Sequence, residues 1–231
     1  MKTKLLGATV LLLAGSLLAA DVPAELKSAF KKLGDASNYS WKTTVTVPEG
    51  SRFRPGPTEG KAEKDGYTHL SMTVANNTTQ ALMKGNKAAA TDQDGDWQSL
   101  EDLENSEGRA RFLAGMLRSF KPPASQAASI AETAKELKKD GDSYAGDLTE
   151  EGARDLMRFR RGGDGPTISG AKGSVKFWVR DGTLSKYEFK VQGKMDFNGN
   201  EIEIDRTTTV EVKDVGTTKL EIPAEAKKKV S

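Results

Sequence analysis

The residues of this 231-residue chain whose types could carry chemistry are few and scattered. The single histidine, His69, sits inside an alternating stretch from Tyr67 to Ala75. General-base work would need a nucleophile and an orienting acid beside it, and no local pattern supplies either. No serine lies in a G-x-S-x-G elbow. One histidine and no cysteine leave no His-pair or thiolate zinc site within the chain. Asp92, Asp94 and Asp96 open like a calcium loop, but such a loop wants Gly at its sixth position and Glu at its twelfth. Trp97 and Leu103 stand there instead, so the stretch reads as a solvated acidic turn. Arg160–Gly165 lacks the G-x-x-x-x-G-K-[ST] spacing of a phosphate cradle and reads as a flexible loop. The expectation is a protein without catalytic residues, cofactor or metal.

Composition narrows the class further. The chain is 36% hydrophobic and 29% charged, as in ordinary globular proteins. Residues 1–20 stand apart: Lys2 and Lys4 precede an apolar run from Leu5 to Leu18, closed by Ala19-Ala20. That is the layout of a cleavable signal peptide, which predicts export to the periplasm. Losing Lys2 and Lys4 takes the formal charge from +2 to 0. A neutral mature chain offers nothing to a phosphate backbone, so nucleic acid is not an expected partner. Without cysteine there is no disulfide and no thiol for a lipid anchor, so an untethered protein stabilised by a sizeable core is expected, and a monomer.

The elements follow from periodicity. Leu26, Phe30 and Leu33 make an amphipathic helix over Pro23–Leu33, ended by Gly34. A strand over Tyr39–Pro48 follows, then a loop over Glu49–Gly60. Strands at Lys61–Lys64, Tyr67–Ala75, Thr79–Lys84 and Lys87–Thr91 come next. Helices are predicted over Arg109–Phe120, stopped by Pro122-Pro123, and over Ser125–Lys139. Asp142–Leu148 reads as a strand, and Thr149 caps a helix running to about Phe159. The chain closes with a meander: Val175, Phe177 and Val179 alternate, Asp181-Gly182 makes a two-residue turn, and Tyr187, Phe189 and Val191 alternate in return. Ile202, Ile204, Val210 and Val212 share one face of a third long strand, and a short terminal strand at Leu220–Pro223 completes it. Lysines and glutamates occupy the opposite face, so one side of the sheet is apolar and the other wet. Trp178 falls on the wet side, where packing under a loop or the first helix is expected over the alternative of an exposed contact patch. The "AKKK" run at Ala226–Lys229 reads as a frayed tail.

Three segments carry a resemblance. Tyr144–Thr149 leads into a capped helix, Val175–Gly182 forms a strand with an Asp-Gly turn, and the strand Glu201–Val215 ends in Leu220–Pro223. Together they resemble the lipoprotein-localisation superfamily, which includes the LolA-type periplasmic carriers and the LppX/LprG lipid-binding proteins. The resemblance implies an α+β fold in one domain over residues 21–231: a long curved antiparallel sheet, or half-open barrel, with helices covering its apolar concave face. It implies a lipid or an acylated protein as ligand, with an envelope protein as a further partner. Val175, Phe177, Val179, Tyr187, Phe189 and Val191 would line the cavity from the sheet. Leu113, Met116, Leu117 and Phe120 would line it from a helical lid, with Arg160–Gly165 and Glu49–Gly60 as hinges. The rival expectation is an interaction or sensor module whose apolar faces close on each other, with no ligand.

Overall fold

The computed structural model describes residues 21–51, 54–64, 66–74, 77–158, 166–197 and 199–231. The expected signal peptide and the hinge at Arg160–Gly165 lie outside the described residues.

The chain begins with α1 (Ala24–Gly34) and continues through β1 (Asn38–Thr46), β2 (Thr58–Glu63), β3 (Thr68–Val74), β4 (Asn77–Lys84), β5 (Lys87–Thr91) and β6 (Trp97–Ser99). Three helices follow: α2 (Leu100–Asn105), α3 (Gly108–Ser119) and α4 (Pro123–Glu132). Then come β7 (Lys138–Asp140), β8 (Ser143–Asp147), α5 (Glu150–Met157), β9 (Thr167–Arg180), β10 (Thr183–Phe197), β11 (Asn200–Lys213) and α6 (Ala224–Lys229). All eleven strands form one antiparallel sheet in the order β6-β5-β4-β3-β2-β1-β11-β10-β9-β8-β7, and it does not close into a barrel. The expected α+β class, a long open sheet with helices on its apolar face, is the architecture observed.

Two meanders make this sheet, and β1 pairs with β11 to join them, Ser40 opposite Lys213 through Thr46 opposite Thr207. The two free edges, β6 and β7, therefore lie at opposite ends. The chain must travel from one to the other, and it does so as α2, α3 and α4. The turn between β9 and β10 is the Asp-Gly turn read from the sequence: Asp181 and Gly182 both have positive φ, 52° and 69°. That geometry matches the twist of the flanking strands, and Gly adopts it without strain. Period-two alternation then buries Val175 and Phe177 on β9 and Tyr187, Phe189 and Val191 on β10. The outer face of the same strands carries Lys190–Asp205 (3.4 Å) and Lys194–Glu201 (2.8 Å) pairs, solvated contacts that each contribute about 0–1 kcal/mol.

Helix placement follows the caps. Thr149 accepts from the Gly152 N–H at 3.0 Å and starts α5 as expected. Ser99 and Asp102 form a reciprocal capping box at α2, a helix that periodicity did not reveal because it is one and a half turns long. α4 stops at Glu132, short of the expected Lys139. Lys138–Asp140 instead pairs with β8 as an exposed edge strand.

The C-terminus departs most from expectation. Leu220–Pro223 pairs with no strand, and Ala226–Lys229 is helical rather than frayed. Ala226 and Val230 are fully buried on the outer face, against Leu82 and Ala89 with Tyr67, Trp97 and Ile222 around them. The apolar character of Leu82 and Ala89 on the side away from the core now has its cause: α6 covers them.

One close approach fixes the inner face. Gly60 lies opposite Trp41 in the β1–β2 register, and a Cβ at Gly60 would come within 2.1 Å of Trp41 Cζ2. The indole lies flat over a glycine because nothing larger fits. Gly60→Ala is expected to cost about 2–3 kcal/mol through overpacking, read as a lower urea midpoint at unchanged slope. An unaltered midpoint would show that the indole has room to move.

Candidate functional site

The helices cover the inner face unevenly. α1 buries Leu26, Ala29, Phe30 and Leu33 over β9 and β10, with the Phe30 and Phe177 rings edge to face at 5.2 Å. α5 buries Ala153 and Met157 over the same pair, and Met157 Cε occupies the space that a side chain at Gly193 would need. α3 sits more lightly. Of its twelve residues only Ala114 and Leu117 are buried, while Leu113 and Met116 are half-covered and Phe112 is 48% exposed.

Between α3, the start of α4 and the inner face lies a cleft of about 180 Å³. Trp41, Leu70, Met72 and Tyr187 line it from the sheet, and Met116, Leu117 and Phe120 from above. Phe120 stacks on Trp41 with centroids 6.2 Å apart and closes one side. Thr43, Thr58 and Thr208, with Lys121, Pro123 and Gln126, complete the wall. α3 is fastened at its two ends: Arg118 is paired with Glu104 of α2, and Arg109 Nη2 donates to the Thr79 hydroxyl at 3.3 Å. Gly108, at φ +61°, opens α3, and Pro122-Pro123 follows it, so the helix is bounded by two backbone breaks.

Buried polar groups gather at the α4 side. The Tyr187 hydroxyl donates to Gln126 Oε1. Burial raises the Tyr187 phenol well above its ordinary value and pushes Tyr39 up to about 12, a shift that the backbone N–H of Ala124 partly opposes. Further along the same face, Arg206 donates to the Leu156 carbonyl at the end of α5, and burial lowers its pKa. A guanidinium thus sits within an otherwise apolar trough.

Of the residues expected to line a cavity, Tyr187, Met116, Leu117 and Phe120 come together around the cleft. Val175, Phe177, Phe189 and Val191 are buried in the core of the covered face, and Val179 and Leu113 pack half-covered against it. Met72 lines the cleft, whereas Met157 lies under α5. Leu70 and Met72 alternate on β3 and form the far wall. Lys121, Gln126 and the three threonines carried no signal, because only the tertiary pairing of β1 with β2 and β11 gathers them.

The other candidate residues take quieter places. Trp178 is on the outer face as read, but the ammonium groups of Lys186 (4.5 Å) and Lys176 (5.5 Å) lie over its ring, so lysine stems supply the expected cover. His69 is half-buried opposite Lys61; burial, the largest cause, lowers its pKa and keeps it neutral. Asp92 accepts from the Asp94 and Asp96 backbone N–H groups and from Gln98 Nε2 (2.8 Å), a self-satisfied turn. Among the described residues no group of three or more His, Asp or Glu is placed to hold a metal ion.

No family model matches the chain and no curated protein does. Among solved structures the chain is similar to LprF from Mycobacterium bovis, at 12% identity and TM-score 0.48 over 87% of this chain and 95% of that one. It is also similar to the lipoprotein LppX from Mycobacterium tuberculosis, at 8% identity and TM-score 0.44 over 85% and 96% respectively. LppX is among the proteins named in the resemblance drawn from the sequence. Likenesses this distant bear on neither ligand nor partner.

The Tyr39 shift has a testable sign. A phenol whose folded pKa is raised from 10.0 to about 12 adds stability that is fully present below pH 10 and is lost as pH rises through about 12. Tyr39→Phe removes that titration, so the decline of the urea midpoint above pH 10 is expected to become shallower. An equally steep decline in the variant would assign the alkaline loss to other groups.

Proposed function

We propose that this protein is a soluble, non-catalytic carrier in the bacterial envelope, and that it holds a hydrophobic ligand, a lipid or the acyl chain of an acylated protein, beneath α3. The observation that carries the reading is the mismatch between the lid and what it covers. α3 shields Trp41, Leu70, Met72 and Tyr187 while burying only two of its own residues. Lifting α3 gives up the packing of Ala114 and Leu117 and of the half-covered Ala110, Leu113 and Met116, and the surface it uncovers is apolar. Each methylene buried there contributes about 0.8 kcal/mol, so a chain of ~14 carbons supplies roughly 10 kcal/mol with no catalytic group or metal.

The cleft is smaller than the ~300–1,000 Å³ typical of ligand sites, so loading requires α3 to move. Gly108 and Pro122-Pro123 are the breaks that suit such a motion. Leu70, Met72, Met116 and Leu117 suit chains of variable shape, since thioethers and leucines repack cheaply. The rival reading, an interaction module with a closed core, draws on the same 180 Å³: if α3 never lifts, nothing enters.

Native mass spectrometry on protein exported to a bacterial periplasm, followed by solvent extraction, separates the two. A bound acylated species is expected, lost in Leu117→Arg and in the less buried Met116→Arg while circular dichroism stays unchanged. Clean ligand-free protein that also leaves a neutral fluorescent acyl probe unbound would reject the carrier in favour of the interaction module.

A further inference from the structure

If the cleft beneath α3 holds an acyl chain, as proposed above, that chain has more room than the cleft alone offers. We infer that it runs on past Leu117 and Phe120 into a second space, of about 440 Å³, and that the two together are one lengthwise site for a long, unbranched acyl chain. Thr68, Met83 and Ala88 line the second space from the strands, with Leu100 at the start of α2 and Pro122 ahead of α4. It opens beside Gly66, Gly85 and Asn86, at the β2–β3 and β4–β5 turns.

The floor is continuous. Thr68, Leu70 and Met72 stand two apart on β3, so all three present to the inner face. Thr68 lines the second space, and Leu70 and Met72 line the first. Across the strands, Ala62, Thr68, Met83 and Ala88 form one paired row, and Gly60, Leu70, Ala81 and Ala90 the next. Neither row carries a charged side chain. The partition comes from above: Leu117 and Phe120 line both spaces, and they belong to the last turn and the C-cap of α3. Lifting α3 to admit a chain therefore withdraws them too, and the trough along β3 becomes a single one. What the second space offers is apolar contact. Met83 and Ala88 are buried, and Leu100 packs half-covered against the core. Its two charged lining residues are engaged elsewhere, Arg118 with Glu104 and Lys87 with the Ser231 carbonyl. Each methylene that reaches this space gains about fourfold in affinity.

Displacement of a neutral fluorescent acyl probe by decanoate and by hexadecanoate tests this in two variants that fill the second space. Thr68→Phe does so from a half-buried position and Ala88→Phe from a buried one. Both are expected to weaken hexadecanoate about fifteenfold more than decanoate, the worth of two methylenes. A loss that is no greater for hexadecanoate, or absent for both acids, would overturn the second space as part of the site. Cross-linking on the unaltered chain needs no variant to fold. Two hexadecanoates carry a photoreactive diazirine, one at the terminal carbon and one beside the carboxylate. One is expected to label Met83, Ala88 or Leu100, and the other Trp41, Met72 or Met116. Labels from both confined to one of these groups, or falling outside both, would likewise overturn it. A probe that does not bind the unaltered protein at all would instead reject the carrier reading itself.

Discussion

The structure depends on the ladder between β1 and β11. It pairs segments 173 residues apart and fuses two meanders, each of which would otherwise expose a long open edge. Once it forms, the remaining edges β6 and β7 are as far apart as the sheet allows. The chain between them has to span the apolar face, so the cover is not an added module. α2, α3 and α4 are the crossing itself. Placing the helical cover on the inner face is thus a consequence of strand order, and the long closing strands are what give that face its extent.

Cover and core are held with unequal strength. Over β9 and β10, α1 and α5 interlock with aromatic rings and with glycines that admit no side chain, and this half behaves as a conventional core. Over β1, β2 and β3 the cover is α3, which buries Ala114 and Leu117, packs Ala110, Leu113 and Met116 half-covered beside them, and is tied by an ion pair to α2 and an arginine–threonine hydrogen bond. Elements with few buried apolar contacts open at the lowest free energy. On the proposed reading, the half under α1 and α5 keeps the sheet in shape and the half under α3 admits a chain. On the outer face α6 seals Leu82 and Ala89, and Lys229 reaches Asp102 of α2 at 3.6 Å, so the C-terminus also steadies the start of the crossing.

Much of this was legible in the sequence, and the parts that were not share a cause. The meander was readable because Val175, Phe177, Tyr187, Phe189 and Val191 alternate and Asp181-Gly182 names its own turn. The cap at Thr149 was equally local. Leu82 and Ala89 were not assigned a partner, since alternation says which face a residue takes but not what arrives to cover it. Ala226 and Val230 are that partner, and a short lysine-rich helix looks like a loose tail until its two apolar residues are seen against β4 and β5. The lid residues Met116, Leu117 and Phe120 were visible by helical spacing. Lys121, Gln126 and Thr208 were not, because their meeting is set by a pairing between the two ends of the chain. Periodicity likewise could not divide the apolar face into a packed half and a lightly covered one.

The central claim is that an apolar chain lies against Trp41 under α3. Trp41 is one of three tryptophans, and the other two, Trp97 and Trp178, are not on the inner face. In a Trp97→Phe, Trp178→Phe variant, the emission comes from Trp41 alone. A fatty acid brominated along its chain should quench that emission saturably, because bromine quenches only at near contact, and Met116→Arg should abolish the effect. Emission from Trp41 that is untouched at concentrations where the same acid binds the protein would place the ligand elsewhere and contradict the account.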